Sequence, residues 1–346
     1  MGIWQVDADT LAGSRFVVSS LAETTASLKK LADPTAAHPG ERRWLDTHLP
    51  AYRARLAADP VTAALVGAAL GRTWTADFLT PTPYGVQDLD LDEGLGRIRA
   101  TSADAVRADL TVSSPGPPPS ALVRADDLAE RAATLLEWVW RTAVRPEWPR
   151  RRRVIEADVV ARTRELTVGG WAAAFAAMRP TMRWLGDGRL RINAHDHPPR
   201  DISGARLLFV PVTPQQGWVS WPEPPAGSVA PADRYAVVYP CAGALADADR
   251  STPPGALATL LGTARAQVLV LLERPLTTTQ LVALTGQGLG SVGRHLKVLL
   301  DARLVGRRRA GRSVLYFRTA TGDTLLDAQR ETDDRAPDPA SPPAPS

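Results

Sequence analysis

The sequence predicts an α+β domain over residues 1–243, joined by a linker at 244–254 to a winged helix–turn–helix domain over 255–327. Three observations carry this reading. Helical patterns come before strand patterns in the first part of the chain. A helix–helix pair with a short glycine-containing turn lies near the C-terminus. A basic hairpin follows it directly.

In the first domain, Ile3–Val6 and Phe16–Ser19 read as strands. Helical patterns follow at Ser20–Ala32, Arg42–Ala57, Val61–Leu70, Asp92–Leu110, Asp126–Ala143 and Arg152–Met178. The order then changes to strands at Leu207–Val212, Gly217–Trp221 and Tyr235–Tyr239, rich in β-branched and aromatic residues and bounded by Pro or Gly. Helices first and strands last argue α+β and not an alternating parallel sheet. Ser113–Ser120, with three successive prolines, is a loop within this domain. Asp247, Asp249, Pro253 and Pro254 interrupt any periodic pattern and mark the linker.

The second domain opens on an apolar helix, Ala256–Glu273, with Leu257, Leu260, Leu261, Ala264, Val268, Leu271 and Leu272 on one face. Thr277–Leu284 and Leu289–Leu300 are the helix–turn–helix pair, with Thr277 and Gln280 at capping-box spacing. Gly286 and Gly288 supply backbone freedom for the turn between them. The hairpin, Leu304–Arg309 and Ser313–Arg318, is closed by Ala310-Gly311 and carries Arg307, Arg308, Arg309, Arg312 and Arg318. Residues 328–346 hold five prolines and mostly acidic or small polar residues, and read as a disordered tail.

Charge is distributed unevenly. Residues 255–320 carry ten Lys and Arg against Glu273 and Asp301, a formal +8, whereas the whole chain is +4. Residues 321–346 hold two Arg against six acids, so residues 1–254 come out near neutral. A positive field confined to one segment suits a phosphate-binding surface that releases counterions.

The run Gly290-Ser291-Val292-Gly293-Arg294-His295-Leu296-Lys297-Val298-Leu299, then Ala302-Arg303-Leu304-Val305, Arg309-Ala310-Gly311-Arg312 and Tyr316, resembles the DNA-binding module of ArsR/SmtB-type bacterial regulators. The resemblance covers about 65 residues. It implies a dimeric regulator, most often a repressor, with double-stranded DNA as its partner. Two departures matter. Gly288, Gly290 and Gly293 stand where such modules often carry Ser or Thr, which removes contacts to phosphate or base. The paired-cysteine metal box is missing, because Leu281–Thr285 contains no Cys, His, Asp or Glu. Metal sensing by that route is not expected. The layout of the first domain resembles the N-terminal region ahead of some ArsR-like modules in actinobacterial regulators.

With Val292, Leu296 and Leu299 buried, a rotation of about 100° per residue puts Gly290, Arg294, Lys297 and Asp301 on the opposite face. Ser291 and His295 fall at its edges. The start of the second helix meets base edges in such a fold, so Ser291 and Arg294 are the expected base readers and Lys297 a phosphate contact. The full expected DNA-facing set is Thr278, Gly290, Ser291, Arg294, His295 and Lys297, with Arg307, Arg308, Arg309 and Arg312 on the hairpin.

Other candidates are weaker. His195-Asp196-His197 puts two histidines on opposite sides of an extended segment, so it reads as a polar loop and no metal site is expected. Cys241 reads as a buried small residue at a strand end, and a single cysteine excludes an intramolecular disulfide. Arg150–Arg153 read as a solvated helix start, with Glu156 and Asp158 on the helix surface. There is no Gly-rich phosphate loop, no Gly-x-Ser-x-Gly and no His-Glu-x-x-His, so neither an enzyme nor a cofactor is expected. All ten tryptophans lie between Trp4 and Trp221, as core residues or as walls of an apolar ligand pocket.

No stretch approaches the roughly 18–20 apolar residues of a membrane helix. Met1–Thr10 lacks a basic-then-apolar signal pattern. The expectation is a cytoplasmic, homodimeric, DNA-binding regulator whose first domain senses an effector of unknown chemistry, dimerises, or both. Two alternatives stay open: an enzymatic first domain fused to a DNA-binding module, and a winged helix used for nucleoid or protein contacts.

Overall fold

Two short polar side chains start the first helices. In the computed structural model, Asp7 accepts the Thr10 amide at 2.7 Å and Ser19 Oγ accepts the Ala22 amide at 3.1 Å. The structure describes residues 2–37, 39–71, 73–84, 90–114, 116–179, 181–194, 198–222, 232–241, 253, 255–272, 275–285, 287–310 and 313–333. The chain divides into two compact units, Met1–Ala246 and Asp247–Ser346.

The first unit runs β1 (Ile3–Gln5), α1 (Ala8–Gly13), β2 (Arg15–Phe16), α2 (Ser20–Ala32), α3 (Pro39–Ala58) and α4 (Pro60–Ala69). A short 3₁₀ turn, Asp77–Leu79, precedes α5 (Leu91–Arg99), α6 (Ala103–Ser113), α7 (Ser120–Arg124) and α8 (Leu128–Val139). A π-turn at Trp140–Val144 leads on to α9 (Trp148–Met178). Then come β3 (Arg183–Gly186), β4 (Arg189–Arg191), β5 (Arg200–Asp201), β6 (Arg206–Val212), β7 (Trp218–Ser220) and β8 (Arg234–Pro240).

Two expected helices are broken in the structure. Asp92–Leu110 is interrupted at Thr101-Ser102, because Ser102 Oγ caps α6 by accepting the Ala105 amide. Inside α9, Gly170 sits at φ 65°, a left-handed conformation that kinks the helix and that only glycine adopts without strain.

The helices precede the long strands as expected, but the main sheet of this unit is largely parallel. Strands are ordered β2-β6-β8-β7, with β2, β6 and β8 parallel and only β7 antiparallel. The physical reason is visible in Leu207–Val212 and Tyr235–Tyr239, which are buried on both faces without alternation. One face, with Leu207, Phe209, Tyr235 and Val237, packs on Phe175 and Met178 of α9 and on Trp4. The other face, with Leu208, Val210, Ala236 and Val238, packs on Ala22 and Ala26 of α2. A second sheet, β3-β4-β1-β5, pairs Trp4 with Leu190.

Helix α2 is central. Its Ala22 and Ala26 face the sheet, while Leu21, Leu28 and Leu31 enter a helical core shared with α4, α5, α6 and α8. Glu23, Thr24, Thr25, Ser27 and Lys30 are buried with it, so an amphipathic stripe does not describe this helix.

Arg151 and Asp158 correct the reading of α9 as a solvated charged surface. Arg151 is buried against Glu23 at 2.8 Å, and Asp158 is fully buried against Arg162 at 3.2 Å. Arg152, Arg153 and Glu156 are exposed as expected.

The second unit runs α10 (Gly255–Leu261), α11 (Thr263–Leu271), β9 (Leu276–Thr277), α12 (Thr278–Thr285), α13 (Leu289–Asp301), β10 (Val305–Ala310), β11 (Ser313–Arg318) and α14 (Ala320–Asp333). The expected single helix Ala256–Glu273 is two, because Gly262 takes φ 80° between α10 and α11. That break turns Leu260 out to 67% exposure, while Leu257, Val268 and Leu272 stay buried. The start of the tail expected from residue 328 is helix instead, since the helix-forming residues Ala328–Arg330 continue α14 to Asp333. Residues 334–346 lie outside the described residues.

Helix α13 ends with Arg303 at φ 56°, while the Arg303 and Leu304 amides bond back to Leu300 and Leu299 at 2.9 and 3.0 Å. A β-carbon in this left-handed position costs about 1 kcal/mol. Arg303→Gly is therefore expected to stabilise the second unit by about 1 kcal/mol, read as slower amide hydrogen exchange across α13. Faster exchange would refute it.

Candidate nucleic-acid interface

The geometry of the candidate interface starts at Thr277. Its amide donates to Gln280 Oε1 at 2.9 Å, and the Gln280 amide donates back to Thr277 Oγ1 at 3.2 Å. This reciprocal box fixes the entry of α12 and leaves Thr278 half-buried at its first turn. Leu281 then anchors α12 in the core. Of the two turn glycines, Gly286 lies outside the described residues, and Gly288 corrects the expectation. It caps α13 at φ −66° and ψ 150°, an extended conformation open to any residue.

Along α13 the expected faces are met. Val292, Leu296 and Leu299 are buried, each at 1% exposure or less. Gly290, Arg294, Lys297 and Asp301 are exposed, and Ser291 and His295 are half-buried between the two faces. A β-carbon at Gly290 or Gly293 would meet open space, so no packing requires these glycines. They leave bare backbone beside Arg294.

Ser291 is more constrained than its position on the helix suggests. Its hydroxyl lies 3.3 Å from Gln287 Oε1 and 3.2 Å from His295 Nε2. Burial lowers the His295 pKa, and the nearby Arg265 and Arg294 lower it further. At neutral pH the imidazole is therefore uncharged. It braces Ser291 and adds no positive charge to the surface. Arg294 and Lys297 carry that charge.

Strand β10 pairs antiparallel with β11, placing Arg307 opposite Tyr316, Arg308 opposite Leu315 and Arg309 opposite Val314. β11 also pairs with β9, Tyr316 opposite Leu276, so the hairpin is the outer part of a three-stranded sheet. Arg307, Arg308 and Arg309 are all exposed. Arg307 and Arg309 share one face and Arg308 takes the other. Arg318 is spoken for, since it pairs with Asp323 of α14 at 3.0 Å. Gly311 and Arg312 lie outside the described residues.

The remaining sequence candidates fall elsewhere. His195, Asp196 and His197 lie outside the described residues, and among those described no group of His, Cys, Asp and Glu is placed to hold a metal ion. Cys241 is buried. Burial, and then the neighbouring Asp158 and Glu23, push its thiol pKa well up, which keeps it protonated and a poor nucleophile. Among the described residues no helix is long and apolar enough to cross a membrane.

Sequence reasoning missed Arg265, which approaches His295 from α11. Its signal was present, since it is the one cation in the Thr263–Leu271 run.

Residues 264–306 match the family model described as bacterial regulatory protein, arsR family. The match runs from α11 through α13 into β10 and supports a helix–turn–helix module of a DNA-binding regulator in this part of the chain. No curated protein and no solved structure matches the chain.

Proposed function

We propose that this protein is a cytoplasmic, sequence-specific transcriptional regulator, a repressor that binds duplex DNA as a homodimer through a C-terminal winged helix. The observation that carries the reading is α13. Its apolar face is sealed in the core while Arg294 and Lys297 stand exposed on bare glycine backbone, beside a hairpin with three exposed arginines. Helix α13 enters the major groove, Arg294 reads a guanine edge, Lys297 holds a phosphate, and the hairpin lies along the adjacent backbone. Two copies would address half-sites about 34–36 Å apart, one helical turn. The first unit supplies dimerisation, effector sensing or both, and the mechanism needs no covalent chemistry.

The test is Arg294→Ala on an operator found by genomic footprinting. The expected cost is about 1–3 kcal/mol on that operator, with relaxed preference at the contacted base and nearly unchanged binding to random DNA. Equal losses on both would reduce Arg294 to a phosphate contact and remove the base-reading role.

A further inference from the structure

The first unit contains a cavity of about 180 Å³ with an unusual charge pattern. Two cations line it from distant parts of the chain, Lys29 of α2 and Arg179 just after α9. The Arg179 Nη1 is buried with no hydrogen-bond partner, and among the described residues neither cation forms an ion pair. Lys29 donates to Thr75 Oγ1 at 2.6 Å and lies 5.8 Å from the centre of the Trp218 ring. The remaining wall is largely polar, including Gln216, and one acid, Asp77, also borders the space.

Position adds a second argument. Gln216 and Trp218 belong to the segment that leaves the end of β6 and enters β7. The cavity therefore opens beyond the carboxyl end of a parallel strand, where open parallel sheets commonly hold ligands. Arg179 is half-buried, but a buried guanidinium nitrogen with no partner is costly, and an oxyanion is the group that best matches its donors.

We propose that this cavity is a binding site for a small polar organic anion, whose carboxylate or phosphate group is held between Arg179 and Lys29. A space of this size takes a body of roughly six to ten heavy atoms, given that a cavity of about 150 Å³ accommodates benzene. Burial, and then the charge of Arg179, lower the Lys29 pKa to about 8, and a bound anion opposes both effects. Burial likewise lowers that of Arg179. The charged groups bordering Lys29 are Arg179, Asp77 across the cavity and Asp33 at the end of its own helix. Binding is thus expected to take up protons near pH 8.5.

The site stands independently of DNA binding, and its test uses the full-length protein without DNA. Inorganic phosphate and succinate serve as the two oxyanion probes, against sodium chloride at equal ionic strength and glycerol as a neutral control. At least one oxyanion is expected to raise Tm and change tryptophan emission saturably, and the better probe separates a phosphate from a carboxylate site. Arg179→Gln and Lys29→Gln should each weaken that response at least tenfold, whereas Arg307→Ala/Arg309→Ala should leave it intact. Without any anion, Arg179→Gln should have a Tm equal to or above that of the wild type, which a structural arginine would not. The proposal fails if neither probe exceeds chloride, or if the response survives Arg179→Gln. It fails equally if the response disappears with the hairpin arginines, which would place the anion on the basic surface.

Discussion

Glu23→Ala is expected to destabilise the first unit by about 3–5 kcal/mol, because it strands a buried guanidinium. Glu23 is fully buried in α2, and its Oε1 accepts Arg151 Nη1 at 2.8 Å. Its Oε2 accepts the Thr213 amide at 2.8 Å, and the Thr213 hydroxyl donates to the same carboxylate. Arg151 also donates to Ser27 Oγ at 3.0 Å, pairs with Glu147 at 3.0 Å and lies over the Trp44 ring at 5.1 Å. One carboxylate therefore ties α2, α9 and the turn after β6 together. Glu147 is partly exposed and cannot satisfy the inner side of the guanidinium once Glu23 is gone. Glu23→Gln keeps the shape and removes the charge, so it should cost less than Glu23→Ala. Urea unfolding followed by tryptophan emission measures both variants, since every tryptophan lies within residues 4–221. A loss below about 1 kcal/mol for Glu23→Ala would show that water or another acid takes over the pairing.

That network also shows where sequence reading stops. The bounds of Ser20–Ala32 are legible because a capping serine and a lysine-containing last turn are local signals. The faces of α13 are legible because Val292, Leu296 and Leu299 fix the rotation of one helix, and everything else on it follows from geometry. The hairpin is legible because its partners are adjacent in the chain. Glu23 and Arg151 are 128 residues apart, and pattern reading assumes that each charge faces water unless a partner is in view. Asp158 was misjudged for the opposite local reason: a charged residue on a charged helix reads as surface, yet this one lies under the end of β8 with Arg162 folded over it. The parallel direction of β6 and β8 had a signal in their unbroken apolar runs, overshadowed by the order of elements. Lys29 had one as well. The chain has only three lysines, and two of them fall on a helix whose other residues, Glu23 apart, are small or apolar. What that lysine faces depends on Arg179 and Trp218, which only the fold brings near.

The largest effect on DNA binding is expected from the hairpin, and its geometry decides which arginines matter. Val305 and Leu276 are buried at 2% and 1% exposure, and pairing places both on the face that carries Arg307, Tyr316 and Arg309. Strand β10 packs on α13 and Val305 at the root of that face is buried, so Arg307 and Arg309 are the hairpin arginines expected to share a DNA-facing side with α13. Arg308 points away, on the face of Gly306 and Phe317. If Arg307 and Arg309 each hold one phosphate, their joint replacement by Ala should reduce the slope of log affinity against log salt by about 1.8. At low salt the same variant should bind about a hundredfold more weakly to operator and random DNA alike, at about 1.5 kcal/mol per charged contact. Arg308→Ala should leave the slope within about 0.3 of the wild type, well under the 0.9 expected per phosphate. Filter binding or fluorescence anisotropy over about 50–200 mM salt measures all three proteins on one duplex. An unchanged slope in the double variant would remove the hairpin from the interface and leave α13 to bind alone. A slope that falls with Arg308 instead would turn the hairpin over, with the face of Phe317 toward DNA. Loss of affinity with no change in slope would mean that the arginines support the fold of the sheet and hold no phosphate.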